Sequence, residues 1–136
     1  MQQKTPKGTR IAHVGVALTS IQAQLPFYRD ILGMGQAEVA DWDGARIVAF
    51  EAGESLVELL EPDKSDSPIA KYIDRRGAGI HHVCFAVDDL DETLAKCKEA
   101  GVKLIDSEPR RGAEGKRIAF IHPSSTGGIL VELSDH

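Results

Sequence analysis

Two short runs, Ile11-Ala-His-Val-Gly-Val-Ala-Leu18 and Ile80-His-His-Val-Cys-Phe-Ala-Val87, echo one another along their length, with His13 falling on His82. Each is followed by a polar turn and a helical stretch, and each stretch stops at a glycine, Gly33 or Gly101, as helix C-termini commonly do. Further on, Arg46-Ile-Val-Ala-Phe50 matches Lys116-Arg-Ile-Ala-Phe120, and Leu56-Val-Glu-Leu59 matches Leu130-Val-Glu-Leu133, so that Glu58 falls on Glu132. The interval from His to Glu is 45 residues (58−13) in the first half and 50 (132−82) in the second. A long-period repeat of this kind constrains the architecture more than any local signal. The 136 residues are two copies of one module: module one over about 10–62, a linker over about 63–78, and module two over about 79–134, in one domain spanning 9–136.

Each module reads strand, helix, strand, strand, strand, which is an α+β pattern. The runs His13–Leu18 and His82–Val87 are short and rich in β-branched residues, with turn residues at their exits. Leu25, Tyr28, Ile31 and Leu32 form one helical stripe over Ile21–Leu32, and Leu90, Leu94, Cys97 and Ala100 form the other. Gln36–Ala40 and Val102–Asp106 read as second strands, with Asp41-Trp-Asp-Gly44 as the turn leaving the first of them. The linker opens as a loop and carries a turn or two of helix at Ile69–Ile73.

Composition excludes several function classes. Lys and Arg number 16 against 21 Asp and Glu, a net charge of −5, and aromatics are 5% of the chain. That leaves neither a basic field nor a stacking platform for nucleic acid. No apolar stretch approaches the length of a membrane span, and residues 1–10 have no apolar core of signal-peptide length. Cys84 and Cys97 sit in apolar or helical contexts rather than in a disulfide framework, so a reducing, cytoplasmic setting is expected.

Side chains alternate faces along a strand. His13 therefore shares a face with Gly15 and Ala17, and His82 with Cys84 and Ala86, while the bulky Val14, Val16, Leu18 and Val83, Phe85, Val87 form the opposite faces. Bulky faces suit helix packing and small ones leave a cavity, so both histidines are expected to face a cavity. Glu58 and Glu132 share strand faces with Leu56, Leu60 and Leu130, where a carboxylate is costly unless something positive neutralises it. Two imidazoles and two carboxylates at equivalent repeat positions suit a borderline divalent metal, Zn, Co, Ni or Mn, in a catalytic rather than a Cys-type structural site. By alternation His81 should point to the opposite face from His82, and it is read as structural or as a support to the ligands rather than a ligand itself. His122 begins a turn before Pro123, His136 is terminal, and neither is chosen as a ligand.

These features resemble the vicinal oxygen chelate superfamily (glyoxalase, bleomycin resistance and dioxygenase proteins), in which tandem βαβββ modules form a half-closed, barrel-like mixed sheet around a metal site. Within it, Ile11–Leu133 looks most like the methylmalonyl-CoA epimerase family. The resemblance is carried by Ile11-Ala-His13, Glu58-Leu-Leu-Glu-Pro62, Gly79-Ile-His-His-Val83 with Val87-Asp-Asp89, and above all Gly112-Ala-Glu-Gly-Lys-Arg-Ile-Ala-Phe-Ile-His-Pro123. It places metal ligands at His13, Glu58, His82 and Glu132, and it favours cobalt. It implies interconversion of the (R) and (S) forms of methylmalonyl-CoA by α-proton abstraction and a metal-stabilised enolate, in a homodimer. Glu132 is then the first base and Glu58 the second, and Arg110, Arg111, Lys116 and Arg117 are candidates to meet the phosphates of a CoA thioester. Several epimerases carry a proton-transferring glutamate three residues after a glycine, where this chain has Ile47. The alternatives are glyoxalase I chemistry on a glutathione hemithioacetal, and a metal-free binding protein of the same superfamily.

Overall fold

The structure is a computed structural model that describes residues 8–112 and 115–135; His136 and the Ala113–Glu114 step of the Gly112–Pro123 motif lie outside them. Eight strands form one mixed sheet: β1 (Arg10–Ala17), β2 (Gln36–Ala37), β3 (Ala45–Ala52), β4 (Ser55–Pro62), β5 (Gly79–Val87), β6 (Arg110–Arg111), β7 (Arg117–Ile121) and β8 (Val131–Asp135). Their order is β2-β3-β4-β1-β5-β8-β7-β6. β1 runs parallel to β4, β5 runs parallel to β8, and β1 and β5 meet antiparallel at the centre. The expected strand–helix–three-strand module therefore occurs twice, about a pseudo-twofold axis between β1 and β5.

The helices are α1 (Ile21–Leu25), α2 (Pro68–Arg76) and α3 (Leu90–Glu99). Each starts on a side chain that accepts a hydrogen bond from the first turn: Ser20 from Ala23, Ser67 from Ala70 and Asp89 from Glu92. Such caps satisfy amide groups that have no partner within the helix. The bulky strand faces pack as the alternation required. Val16 and Leu18 join Ile21, Leu25 and Tyr28 in one cluster, and Phe85 and Val87 join Leu90 and Leu94 in another. The Asp43-Gly44 pair makes a tight hairpin with φ of 52° and 77°, closed by reciprocal hydrogen bonds between Trp42 and Ala45. This matches the preference of two-residue hairpins for Asp-Gly.

Four local expectations are corrected. Helix α1 continues past Leu25 as a wider turn over Pro26–Ile31, where the amide of Leu32 bonds the carbonyl of Phe27. Pro26 has no amide hydrogen and disturbs the preceding turn. The register change leaves Ile31 and Leu32 exposed rather than in the core stripe. The first module's second strand is only Gln36–Ala37. Val102–Asp106 is not a strand: the amides of Ile105 and Asp106 both donate to the Phe120 carbonyl, and the Asp106 carboxylate takes the Phe120 amide, which ends the ladder. β6 fills that place at Arg110–Arg111. Finally, the sequence match of Arg46–Phe50 with Lys116–Phe120 is one residue out of structural register. Glu58 pairs with Ala49, whereas Glu132 pairs with Phe120, so Ile47 corresponds to Ile118. A slip of one residue exchanges the two faces of a strand.

Candidate metal centre and active site

A cavity of about 330 Å³ opens on the concave side of the sheet, and its wall includes His13, Glu58, His82 and Glu132. The sheet puts them there by symmetry. Glu58 on β4 lies beside Gly15, two residues beyond His13, and Glu132 on β8 lies beside Cys84, two residues beyond His82. The antiparallel seam then sets His13 against Cys84 and His82 against Gly15. Each module delivers one imidazole and one carboxylate to the centre.

The four donor groups converge. His13 Nε2 lies 3.0 Å from His82 Nε2, 3.2 Å from Glu132 Oε1 and 3.6 Å from Glu58 Oε1, and His82 Nε2 lies 3.2 Å from Glu132 Oε1. The two rings stand edge to face, 5.1 Å between centroids. Glu58, His82 and Glu132 are 5%, 6% and 7% exposed. Metal–donor distances of about 2.1 Å put adjacent donors of one ion roughly 3.0–3.4 Å apart, which is the spacing of the His13, His82 and Glu132 donors, with Glu58 a little farther from His13 at 3.6 Å. Two imidazole nitrogens facing each other at 3.0 Å need a proton or a cation between them, and two buried carboxylates need positive charge. The donor set thus fits a divalent cation held by His13, Glu58, His82 and Glu132.

The surrounding electrostatics follow from burial. Burial alone would raise the Glu132 carboxyl, but hydrogen bonds from His13 and His82 outweigh it and hold the group down at about 2. Cys84 has its Sγ close to the His13 and Glu132 donor atoms. Burial, reinforced by the Glu132 charge, pushes its thiol well above the usual range. It donates to Ser134 Oγ.

Other residues fall less evenly. His81 does not point away from the cavity; it stands in the cavity wall beside His82. Ile47 and Ile118 line opposite modules' share of the wall, so the position at which some epimerases place a base is apolar here. Of the four basic candidates, Arg110 and Lys116 line the cavity. Arg111, next to Arg110 on β6, is exposed. Arg117 is held by Asp91 at 2.7 Å and Asp135 at 3.5 Å. The Arg110 guanidinium lies 5.2 Å from the Trp42 ring centre and 5.3 Å from that of Phe120, and its Nε donates to Asp106. It thereby joins the two modules across the cavity. Sequence reading missed Trp42 and Gly15 as site residues. A Cβ at Gly15 would fall 2.3 Å from His82 Cε1, so only glycine admits the ring. The signal available for it was a glycine two residues after His13, on the small-residue face that the histidine shares.

Residues 12–120 match the family model of the glyoxalase/bleomycin resistance protein/dioxygenase superfamily, and the chain belongs to that superfamily. Among its curated relatives is the mitochondrial methylmalonyl-CoA epimerase of Bos taurus, 38% identical over 91% of this chain and 73% of the relative. Another is the ethylmalonyl-CoA/methylmalonyl-CoA epimerase of Cereibacter sphaeroides, 36% identical over 91% of this chain and 96% of the relative. A solved methylmalonyl-CoA epimerase in complex with methylmalonyl-CoA and NH4+ superposes with a TM-score of 0.87, at 34% identity over 95% of each chain.

Proposed function

We propose that the chain is an isomerase that interconverts the (R) and (S) forms of methylmalonyl-CoA, with a divalent metal held by His13, Glu58, His82 and Glu132. The observation that carries this reading is the convergence of the four donors from equivalent positions of the two modules, with His13 Nε2 within 3.0–3.6 Å of the other three. It is supported by the similarity to epimerases of this substrate.

The reaction inverts a carbon flanked by a thioester carbonyl and a carboxylate. A bound divalent cation would supply Lewis-acid stabilisation of the negative charge that develops on the thioester oxygen. Inversion needs proton transfer on both faces of the planar carbon, so two basic groups must flank it. Glu132 is assigned removal of the proton from one face, and Glu58, its mate across the pseudo-twofold axis, delivery to the other. The apolar side chains of Ile47, Leu60, Ile118 and Phe120 in the wall exclude water and leave the inversion to the carboxylates. Arg110, held by Asp106 and two aromatic rings, and Lys116 elsewhere in the same wall are assigned the anionic parts of the CoA thioester. Cobalt is the metal preferred by this reading, in a cytoplasmic homodimer formed by single-domain chains of residues 9–136. The two free thiols support the compartment.

The test is exchange of the α-proton of methylmalonyl-CoA in heavy water, followed with and without a chelator. Exchange and epimerisation that stop on chelation and return with cobalt are expected. Turnover of a glutathione hemithioacetal in place of the CoA thioester overturns the reading, as does exchange indifferent to the chelator.

A further inference from the structure

The two central strands each carry one extra residue. Between Gly15 and Val16 the partner strand advances from His82 to Ile80, so His81 is a bulge; between Ile11 and His13 the partner moves only from Phe85 to Cys84, so Ala12 is a bulge. The bulges are related by the pseudo-twofold axis, and each directly adjoins a proposed metal histidine. A bulge breaks the two-residue alternation and re-aims a side chain. This is why His81 and His82, neighbours in sequence, both line the cavity, as do Ala12 and His13.

In module one the bulge presents a methyl group, and in module two an imidazole. His81 Nδ1 lies 2.9 Å from His82 Nδ1, with the rings at 90°. Only one hydrogen fits between two nitrogens at that distance. For His82 Nε2 to offer its lone pair to an ion, the hydrogen of the neutral ring must sit on Nδ1. His81 must then receive it with a bare Nδ1 and carry its own hydrogen on Nε2. Its ring is held edge to face against Tyr72 of α2, 4.8 Å between centroids, and the Tyr72 hydroxyl donates to the Ile80 carbonyl of the same strand.

We infer that His81 is a positioning residue: its Nδ1 accepts the Nδ1 hydrogen of His82, fixing the tautomer and the angle at which His82 Nε2 faces the metal, with Tyr72 of the inter-module helix as its support. The inference rests on the metal reading above. Partners of this kind outside the ligand set typically govern 10–100-fold in metal affinity.

The experiment titrates chelator-stripped protein with cobalt and follows ligand-field absorption and heat, with no substrate present. H81L should bind cobalt 10–100-fold more weakly with an altered absorption band, while H81N, which keeps an acceptor at the δ position, should recover most of the affinity. Nitrogen–proton correlation spectra of zinc-loaded, histidine-labelled protein should show His81 as the Nε2–H tautomer and His82 as Nδ1–H. These spectra need no variant, so a failure of H81L to fold leaves the inference open to refutation. Unchanged affinity in H81L, or an Nδ1–H tautomer at His81, overturns this role alone. Unmutated protein that binds neither ion overturns the metal reading together with it.

Discussion

Gly15 offers a quantitative test of how the centre is built. Its place opposite His82 leaves no room for a side chain: a Cβ there would lie 2.3 Å from Cε1, 2.6 Å from Nδ1 and 2.9 Å from Nε2 of that ring. Ordinary contact begins near 3.4 Å, so G15A must move the ring by roughly 1 Å, or push the two central strands apart by as much. Overpacking of this size costs about 1–3 kcal/mol, which for a chain of this length lowers the melting temperature by roughly 3–10 °C. The functional loss should be larger than the structural one. A ligand nitrogen displaced by about 1 Å leaves the donor spacing described above, and misplacement on that scale costs on the order of a hundredfold in activity. Cobalt titration and thermal melting of G15A, H82A and the double variant separate the two effects. Because the clash needs both side chains, adding H82A should restore stability to G15A, a coupling of the kind shown by residues in contact. Wild-type cobalt affinity in G15A, or purely additive melting temperatures, would show that His82 does not lie over Gly15.

H13A and H82A should each lose cobalt binding by elemental analysis while keeping the circular dichroism of the parent, since both rings stand in a cavity wall and their removal costs few packing contacts. R110A gives up ring contacts worth roughly 0.5–1 kcal/mol. If the guanidinium meets an anion of the substrate it should raise KM by about 10–100-fold with kcat nearly unchanged, the pattern of lost uniform binding; Trp42, the chain's only tryptophan, reports the contact by fluorescence. The metal-free protein should also be acid-sensitive in a defined window. Glu132 is held below its ordinary 4.5 at about 2, so its contribution, on the order of 3 kcal/mol, is present above pH 4.5 and lost as pH falls to about 2. E132Q should flatten urea-denaturation stability across that window.

The duplication was legible because β1 and β5 carry bulky and small residues on alternate faces, and packing against α1 and α3 demands that alternation. From it followed the module order, the sheet's two halves and the cavity-facing histidines. The bulges at Ala12 and His81 were not legible, because an extra backbone residue leaves no mark in side-chain type; alternation carried across the second one pointed His81 the wrong way. The register of β3 against β7 failed for a related reason. Ile-Val-Ala-Phe and Ile-Ala-Phe align best with the phenylalanines together, yet it is Ala49, not Phe50, that stands in the place of Phe120 beside the buried glutamate. Val102–Asp106 has strand-like composition, but the Asp106 carboxylate captures the amide that a ladder would have used. That is a competition between side chain and backbone that propensity does not register.

The corrected register also separates the two glutamates. Glu58 is flanked on its strand neighbours by Gly15 and Ala49, and Glu132 by Cys84 and Phe120. Glu132 lies 3.2 Å from both imidazole nitrogens, whereas Glu58 lies 3.6 Å from that of His13. Replacement by glutamine keeps an oxygen of similar shape while removing the charge and most of the basicity. E132Q should therefore lose most epimerase activity while keeping its metal. If Glu58 acts chiefly as a ligand, E58Q should remain active. If it is the second base, each variant should lose epimerisation yet still exchange the α-proton of one stereoisomer in heavy water, a different one for each variant. A base on one face can remove and return a proton without inverting the centre, so the stereoisomer that exchanges reports the face on which each glutamate stands. Full activity in E132Q would sink the assignment of the first base, whatever E58Q does.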